Sequence, residues 1–458
     1  MPLDAVIRGG RVVLPRSVAA ADVGIENGAI VAVAAQLADK AHEVIDATGL
    51  TVFPGIVDTH VHFNEPGRTD WEGAASGSAA LVAGGGTCFC DMPLNSSPPT
   101  LDAESFHLKR KALEASSHAD FGLWGGLCPH NLNRLEELAE CGAIGFKAFM
   151  CASGIADFPC VDEEALGRGM EIATQLGLPV GVHAEDEQTT RELTRAAIAE
   201  GRTTVRDSFE SRPIRAEVAA IERSIALAEQ TGCSLHIVHV SSGAGVRAVV
   251  EGRRRGVNVT CETCPHYLVL TDLDVERIGA AAKCAPPIRA AAEQESLWRA
   301  LAADEIDFAA SDHSPAPPSM KESSDFFAVW GGIAGCQTML GLLLHHGHLH
   351  RGVSLEQISR WASTKPAKRY RLEKKGRIEA GADADFVLVD LSQTTVLSRD
   401  DLHDRHHFTP YIGQRMAGVV RRTIVRGTTV FADGRVVDSA RGRFVRPAPR
   451  AATTTSCP

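Results

Sequence analysis

The chain has 458 residues, of which 44% are hydrophobic and 23% are charged, and its formal net charge is −10. This composition is ordinary for a globular protein, and the length allows a barrel of about 250 or more residues plus a smaller domain. The negative charge and the absence of any basic run argue against nucleic acid as a partner. No apolar stretch is long enough for a transmembrane helix, so we expect no membrane partner either.

The cellular setting is indicated by the start of the chain and by its cysteines. The opening sequence, MPLDAVIRGGRVVLP, lacks the continuous apolar core of a signal peptide. Twelve cysteines without an export signal predict reduced thiols in a cytoplasmic protein. Cys261 and Cys264 form a CxxC motif, but no second CxxC follows, so two buried thiols are favoured over a zinc ribbon.

Three compositional zones divide the chain. Residues 1–54 and 376–445 consist of short β-type runs separated by turns, and each zone is too small to fold well alone. We therefore predict one discontinuous β-sandwich built from both termini. Between them, in residues 55–375, apolar strands alternate with amphipathic helices, which predicts an α/β fold with a closed (β/α)₈ TIM barrel. Residues 446–458 have the composition of a disordered tail.

One helix illustrates this alternation. Asp162 is predicted to cap a helix whose Leu166, Met170 and Ala173 form one apolar stripe, and Gly177 is predicted to end it. The following sequence, LPVGVHAED, is typical of a buried strand.

The stretch GIVDTHVHFNEPGR, residues 55–68, carries two histidines at the end of an apolar run. Strand side chains alternate between faces, so His60 and His62 point the same way and could bind one metal ion. An HxH pair by itself is weak support for a metal site, because most histidines are packed in a core or lie on the surface.

Further candidates follow the predicted barrel strands. Lys147 lies in AIGFKAFM, His183 ends LPVGVHAED, His239 lies in LHIVHVSS, and Asp312 follows IDFAA. Catalytic residues of parallel barrels come from the carboxyl ends of the strands, where these residues and the HxH pair all fall. Such a constellation at five strand ends predicts a shared site.

Lys147 indicates what kind of site this is. A buried ammonium among metal ligands would be repelled, and a cation cannot ligate a cation. A neutral lysine amine that has reacted with CO₂ becomes an anionic carbamate (N6-carboxylysine), whose two oxygens can bridge two divalent ions. Four histidines, the carbamate and Asp312 would then hold two ions, most simply Zn²⁺, with Co²⁺, Mn²⁺ or Fe²⁺ as alternatives. Such ions activate water and polarise a carbonyl, and Asp312 could shuttle the proton to a leaving nitrogen.

Several motifs together resemble the amidohydrolase superfamily and, within it, the cyclic-amide hydrolases, which include dihydroorotases, hydantoinases (dihydropyrimidinases) and allantoinases. These motifs are PGIVDTHVHFNEPGRTDWEG, DMPLNSSPPT, GFKAFM, CETCPHYL, CAPPIR, SDHSP and WGGIAG. The set is most similar to the allantoinases. The resemblance covers nearly the whole chain and implies a barrel with a small β-sandwich and a homo-oligomer, often a tetramer. It also implies that the metal ligands are His60, His62, Lys147, His183, His239 and Asp312.

Two positions favour allantoin over the substrates of the sister enzymes. Dihydroorotases have an arginine two residues after the second histidine, where this chain has Asn64. Asparagine cannot replace the bidentate pairing of arginine with a substrate carboxylate. Arg68 could compensate, although Thr69 to Glu72 after it has the pattern of a helix capping box. Dihydropyrimidinases have a tyrosine five residues after the lysine, where this chain has Ala152.

The expected reaction is hydrolysis of the ring amide of allantoin to allantoate, a step of purine (ureide) catabolism. Candidate contacts to this small neutral substrate are Asn95, Ser314 and the backbone around Cys284 and Gly332. Hydantoinase or dihydroorotase activity is the alternative within the family. A non-catalytic scaffold homologue is the alternative from another class, but a scaffold has no reason to keep all six ligands.

Some residues depart from the family pattern or match no ligand position. Gly86 and Cys88 replace typical β-formers in a predicted strand, in which Cys88 and Cys90 should face opposite to Phe89. The histidines expected to be neighbours of the site at most are His266, His313, His406 and His407.

Overall fold

The computed structural model describes residues 2–437 and 442–449. The chain forms a (β/α)₈ barrel and a β-sandwich assembled from both ends of the sequence, as predicted. The division at residues 54 and 375 stays a prediction. Residues 446–449 of the predicted tail lie against the barrel, where the Ala448 amide donates to the Arg371 carbonyl at 2.9 Å. The remainder of that tail, 450–458, lies outside the described residues.

The strands of the sandwich are hydrogen-bonded into one continuous nine-stranded sheet, and they come from both termini. The N-terminal strands are β1 (Leu3–Leu14), β2 (Ser17–Glu26), β3 (Ala29–Ala34), β4 (Ala41–Asp46) and β5 (Thr51–Pro54). The C-terminal strands lie beyond the barrel, at Phe386–Val396, Arg415–Val425, Thr428–Ala432 and Arg435–Val436. Strand β5 pairs antiparallel with Phe386–Val396, which joins the two halves. Their shared core includes Val12 and Val23 from one end and Phe386 and Ile424 from the other.

The barrel strands follow the N-terminal half of the sandwich in the chain. They are β6 (Ile56–Val61), β7 (Gly86–Asp91), β8 (Asp120–Leu123), β9 (Gly125–Gly126), β10 (Phe146–Phe149), β11 (Val180–His183), β12 (Leu235–Ile237), β13 (Val259–Thr263) and β14 (Phe308–Ala309). Only Trp124 separates β8 from β9, so these two act as one interrupted strand. All barrel strand pairs are parallel, and a parallel bridge between Val61 and His313 closes the ring.

Helices pack outside these strands. The α-helices are Ala74–Ala83, Ala103–Ser116, Leu135–Cys141, Glu163–Leu176, Glu187–Ala199, Val205–Glu210, Ile214–Thr231, Gly243–Arg254, Pro265–Val269, Asp272–Ile278, Ala291–Ala302, Met339–Leu342, Leu355–Ser359 and Lys365–Arg369. Glu163–Leu176 confirms its predicted ends: the Asp162 side chain accepts from the Ala165 amide, and Gly177 has a left-handed φ of 67°. No helix within the described ranges is both long and apolar enough to cross a membrane.

The two faces of β7 pack into different cores, as expected. Phe89 contacts the Phe63 ring, with the ring centroids 4.6 Å apart, in the core shared with the helices. Cys88 and Cys90 belong to the cluster around Trp124 and Phe308. Small side chains at these two positions accommodate the large rings of that cluster.

A buried ion cluster joins the barrel to the sandwich. Lys375 is 3% exposed, and its Nζ lies 2.5 Å from Asp120, 2.9 Å from Asp383 and 2.7 Å from Asp385. Asp120 begins β8 of the barrel, whereas Asp385 immediately precedes the sandwich strand Phe386–Val396. Arg426 also pairs with Asp120. Because the ammonium already lies among the three carboxylates, we interpret this cluster as an ion-pair network and not as a metal site.

Replacing Lys375 with methionine should lower the free energy of unfolding by about 3–5 kcal/mol, because it leaves the buried Asp385 carboxylate without its cation while Asp120 keeps Arg426. Guanidinium titration of the folded protein measures this. Lys365→Met is the matched control: it removes a partly exposed pair with Asp304, which should cost under about 1 kcal/mol. Equal losses in the two variants would contradict a structural role for the cluster.

Candidate metal centre

The six predicted ligands all lie at the carboxyl end of the barrel. His60 is in β6, Lys147 is in β10 and His183 ends β11. His239 and Asp312 follow β12 and β14, and both have left-handed backbone conformations, with φ of 39° and 46°. Such conformations are costly for residues other than glycine and cluster at functional sites. In both places the chain turns immediately after a strand, at the mouth of the barrel.

The ligand atoms converge in two groups. Nε2 of His60 and of His62 lie 3.2 Å and 3.4 Å from the same Asp312 oxygen. Nδ1 of His183 lies 3.0 Å from Nε2 of His239, and the ring centroids of His60 and His239 are 5.4 Å apart. The two groups are therefore neighbours in one polar cluster.

Lys147 adjoins this cluster and contributes to the lowered pKa values of His183 and His239. It is fully buried, and its Nζ has no hydrogen-bond partner within the described part of the chain. The nitrogen is 4.1 Å from the centroid of the Phe149 ring. Burial lowers the pKa of Lys147 to about 7, although Asp312 and Glu262 oppose the shift. The amine is therefore available in its neutral form near physiological pH.

These residues fit divalent metal ions. The site offers more electron pairs than its own hydrogen bonds use. Two imidazole nitrogens face each other at 3.0 Å, the buried Lys147 amine has no partner in the described chain, and one carboxylate is shared by two histidines. The pKa of His239 is held well below its ordinary value, mainly by burial, and the pKa of Asp312 is also well below its own because nearby histidines outweigh burial. Neutral imidazole and ionised carboxylate are the forms that bind metal. His60 differs, because Asp312 and Glu262 outweigh burial and raise its pKa to about 9, so His60 must release a proton when it binds metal.

Two buried glutamates, which the sequence analysis missed, orient the histidines. Glu262 accepts from Nδ1 of His60 at 2.5 Å, which leaves Nε2 facing Asp312. Glu185 accepts from Nε2 of His183 at 2.9 Å, which leaves Nδ1 facing His239. Carboxylates commonly fix metal-binding histidines in this way. The sequence pattern that could have indicated these two residues is a glutamate at a strand end, which occurs in CET for Glu262 and in HAE for Glu185.

A second group of potential ligands adjoins the first. Cys151, His183 and Glu185 offer donor atoms within 4.8 Å of one another. The Arg212 guanidinium pairs with Glu185 and lies 4.0 Å from the Cys151 sulfur. A cation already faces this group, so we assign Glu185 to positioning His183 and not to metal binding. The CxxC cysteines Cys261 and Cys264 are buried, in agreement with their predicted role.

A cavity of about 460 Å³ opens above the cluster. His60, His62, His183, His239 and Asp312 line it, and so do all the predicted substrate contacts, Asn95, Ser314, Cys284 and Gly332. The Ser314 hydroxyl donates to the Asp312 carbonyl at 2.8 Å. Ala152, Arg212 and Lys283 line the cavity as well. The four histidines predicted to lie outside the ligand set, His266, His313, His406 and His407, are not among the lining residues of the described chain.

The loop after the HxH pair differs from one expectation. The helix begins at Ala74, whose amide donates to the Glu65 carboxylate at 2.7 Å, so the predicted capping box from Thr69 to Glu72 is wrong. The Glu72 carboxylate instead lies fully buried, 3.7 Å from Nε2 of His313. Burial next to a histidine outweighs the local capping pattern here.

Neither residue considered for carboxylate recognition lines the cavity. Asn64 is buried, with a φ of 63°, and donates to the Pro315 carbonyl at 3.3 Å. Arg68 donates to the Asn95 carbonyl at 2.5 Å and lies 5.3 Å from the centroid of the Trp71 ring. Arg68 therefore does not replace the missing arginine at position 64.

Replacing Glu262 with glutamine should weaken metal binding by about 10–100-fold, because His60 loses the carboxylate that orients it. Chelator competition on the purified protein measures this affinity. Asp307→Asn is the control, since Asp307 pairs with Arg253 and contacts none of the six predicted ligands. Unchanged affinity in Glu262→Gln would contradict the orienting role.

Comparison with known proteins identifies the family of the chain. The model of the amidohydrolase family matches residues 51–430. The chain is 55% identical to an allantoinase of Rubrobacter xylanophilus, covering 97% of this chain and 98% of that one, and 52% identical to one of Solibacter usitatus, covering 97% of each. The L-hydantoinase (dihydropyrimidinase) structure from Arthrobacter aurescens superposes with a TM-score of 0.94 at 32% identity, over 97% of this chain and 100% of that one. The chain belongs to the amidohydrolase family.

Proposed function

We propose that this protein is an allantoinase, which opens the hydantoin ring of allantoin to give allantoate. The observation that carries the proposal is 51–55% identity, over 97–98% of the chain, to proteins named allantoinase. The cluster of histidines, lysine and aspartate at the floor of a cavity supplies the chemistry that such a hydrolase needs.

We infer that the six residues at the strand ends hold two divalent ions, with Zn²⁺ as the first choice. The ligands would be His60, His62, Lys147, His183, His239 and Asp312, with Lys147 carboxylated by CO₂. The buried, unpartnered Lys147 amine supports this, because a carbamate would convert an unfavourable buried amine into an anion among cations. When bound, such ions make water a nucleophile at neutral pH and polarise a carbonyl.

The residues of the chain then manage protons and position the substrate. Asp312 accepts the proton of the attacking water and returns it to the departing ring nitrogen. The carbonyl under attack adjoins the ureido-bearing carbon, so the ring becomes a carboxylate and a second ureido group. Asn95, Ser314 and the backbone at Cys284 and Gly332 line the cavity where a neutral polar ring needs matched hydrogen bonds.

The cavity favours a neutral substrate over dihydroorotate. Asn64 stands where dihydroorotases have an arginine, and it is bonded to Pro315 away from the cavity. Arg212 lines the cavity but is paired with Glu185. No unpaired guanidinium within the described chain is therefore offered to a substrate carboxylate.

Hydantoinase activity is the second candidate, because a hydantoinase structure superposes with a TM-score of 0.94. Ala152 at the cavity, where dihydropyrimidinases have a tyrosine, supports the allantoinase proposal over this one. We further propose a cytoplasmic homotetramer. The family resemblance supports the tetramer, and the eleven free cysteines of the described chain support a reducing compartment.

The proposal is tested by identifying the product. Zinc-loaded protein incubated with allantoin should yield a compound heavier by one water and bearing a carboxylate, identified as allantoate by mass spectrometry and NMR. One proton should be released per turnover near neutral pH. Intact allantoin after incubation with fully metal-loaded protein would contradict the proposal.

A further inference from the structure

Seven consecutive residues, 326–332, form one wall of the cavity. This wall contains turns but no helix or strand. Three of its amides bond to other segments: Phe326 donates to Thr203 and Trp330 donates to Met320, each at 2.9 Å, and Gly332 donates to the Lys283 carbonyl at 2.7 Å. The amides of Phe327 and Ala328 bond only to the adjoining Asp325. These amide bonds hold one side of the backbone, and the carbonyls of the wall are held separately.

Lys283 holds the first half of the wall. Its Nζ donates to the carbonyls of Phe326, Phe327 (3.3 Å) and Val329 (2.5 Å). An ammonium has three donors, so these carbonyls use all of them. No carboxylate within the described residues lies in ion-pair distance of Lys283. Lys283 is half-buried and, among the described residues, its Nζ bonds only to carbonyls of this loop, which indicates that it maintains the conformation of the loop.

Lys321 holds the second half of the wall. Its Nζ donates to Trp330 at 3.1 Å and to Gly332 at 2.7 Å, and its third donor reaches Ala280 at 3.3 Å. Lys321 is 7% exposed, and within the described chain it too has no carboxylate partner at ion-pair distance. Burial lowers the pKa of both lysines, to about 8 for Lys283 and about 7 for Lys321, so keeping these ammonium groups inside is costly.

Five of the seven wall carbonyls thus accept from the two lysines. Among the hydrogen bonds of the described residues, the carbonyls of Ala328 and Gly331 have no donor. Gly331 lies beside Cys284 and Gly332, which we have assigned to the ring. Ala328 lies in the half that Lys283 holds, and it also lines the cavity. Ala328 is exposed, so no donor of the described chain has to be displaced before its carbonyl accepts from a donor on the substrate.

We propose that Lys283 and Lys321 are positioning residues that shape wall 326–332, and that the half held by Lys283 receives the ureido arm of the substrate on the Ala328 carbonyl. A ureido arm carries several N–H donors and suits a carbonyl acceptor. The half held by Lys321 shapes the ring site instead. This proposal rests on the proposed allantoinase function, because the arm distinguishes allantoin from plain hydantoin.

The test compares allantoin with hydantoin, which has the ring but lacks the arm. Lys283→Met should lower the specificity constant for allantoin about tenfold, mainly through KM, and leave that for hydantoin within about twofold. Lys321→Met should lower both constants in parallel. Lys111→Met, which changes an exposed lysine on helix Ala103–Ser116, is the control and should change neither. The metal content of all three variants should match that of the wild type.

Parallel losses for both substrates in Lys283→Met, or no loss for either, would overturn the assignment of the arm. If Lys283→Met does not fold, Lys283→Gln retains two donors for three carbonyls, and the ratio of allantoin to hydantoin constants must still fall. A wild-type protein that opens hydantoin but not allantoin would instead refute the proposed function. The two failures are therefore distinguishable.

Discussion

Replacing Lys147 with alanine is expected to remove both metal ions and to reduce turnover by about 10³-fold or more. In our proposal a carboxylated Lys147 would be a ligand of both ions, and the activation that such ions supply is worth several kcal/mol in the transition state, which is about three orders of magnitude in rate. Elemental analysis and turnover on the same preparation measure the two losses together. Added metal with a short carboxylic acid should restore part of the rate by replacing the carbamate.

Lys147→Arg separates the chemistry from packing. Arginine fills the buried space but stays charged and cannot form the carbamate, so this variant should also lose metal and turnover. Neither variant should respond as the wild type does to the supply of CO₂ during metal loading. Full metal content and turnover in Lys147→Ala would remove the lysine from the metal centre.

Replacing Asp312 with asparagine should lower kcat by about 10²–10⁴-fold, with a smaller effect on KM, because the proton shuttle is lost. Asp312 lies within 3.4 Å of both histidines of the HxH pair, and its pKa is held far below its ordinary value by them. Steady-state kinetics at saturating metal measure the change. Asp304→Asn, at an exposed ion pair, is the matched control and should retain the wild-type rate.

A near wild-type kcat in Asp312→Asn would exclude it as the proton shuttle. Loss of metal without recovery at high metal concentration would indicate that Asp312 acts only as a ligand. Metal content measured at each kinetic point distinguishes these outcomes.

The periodic features of the sequence predict the fold well. Alternation of apolar strands and amphipathic helices places the barrel, and the strand-end rule brings His60, His183 and Asp312 into one cluster although they are far apart in the chain. Such features depend on the spacing of residue types, which is visible in one sequence. The helix from Glu163 to Leu176 follows its predicted cap and stop signals for the same reason.

Features that depend on long-range burial are not visible in the same way. Glu262 and Glu185 look like ordinary strand-end acids until the fold brings histidines to them. Thr69 to Glu72 has a capping-box pattern, but Glu72 is instead buried beside His313, which lies 241 residues further along the chain. The carbonyl bonds of Lys283 also depend on a loop whose path no periodicity specifies.

The central claim, a metal-dependent cavity selective for allantoin, is tested most directly by specificity constants measured on one metal-loaded preparation, so that metal occupancy cancels. A substrate carboxylate without its arginine loses a charge-assisted contact worth about 1.5–3 kcal/mol, or one to two orders of magnitude. We therefore expect allantoin to exceed dihydroorotate by at least about tenfold, with hydantoin and dihydrouracil also handled less well than allantoin. Equal constants for allantoin and dihydroorotate, or a preference for dihydroorotate, would contradict the account.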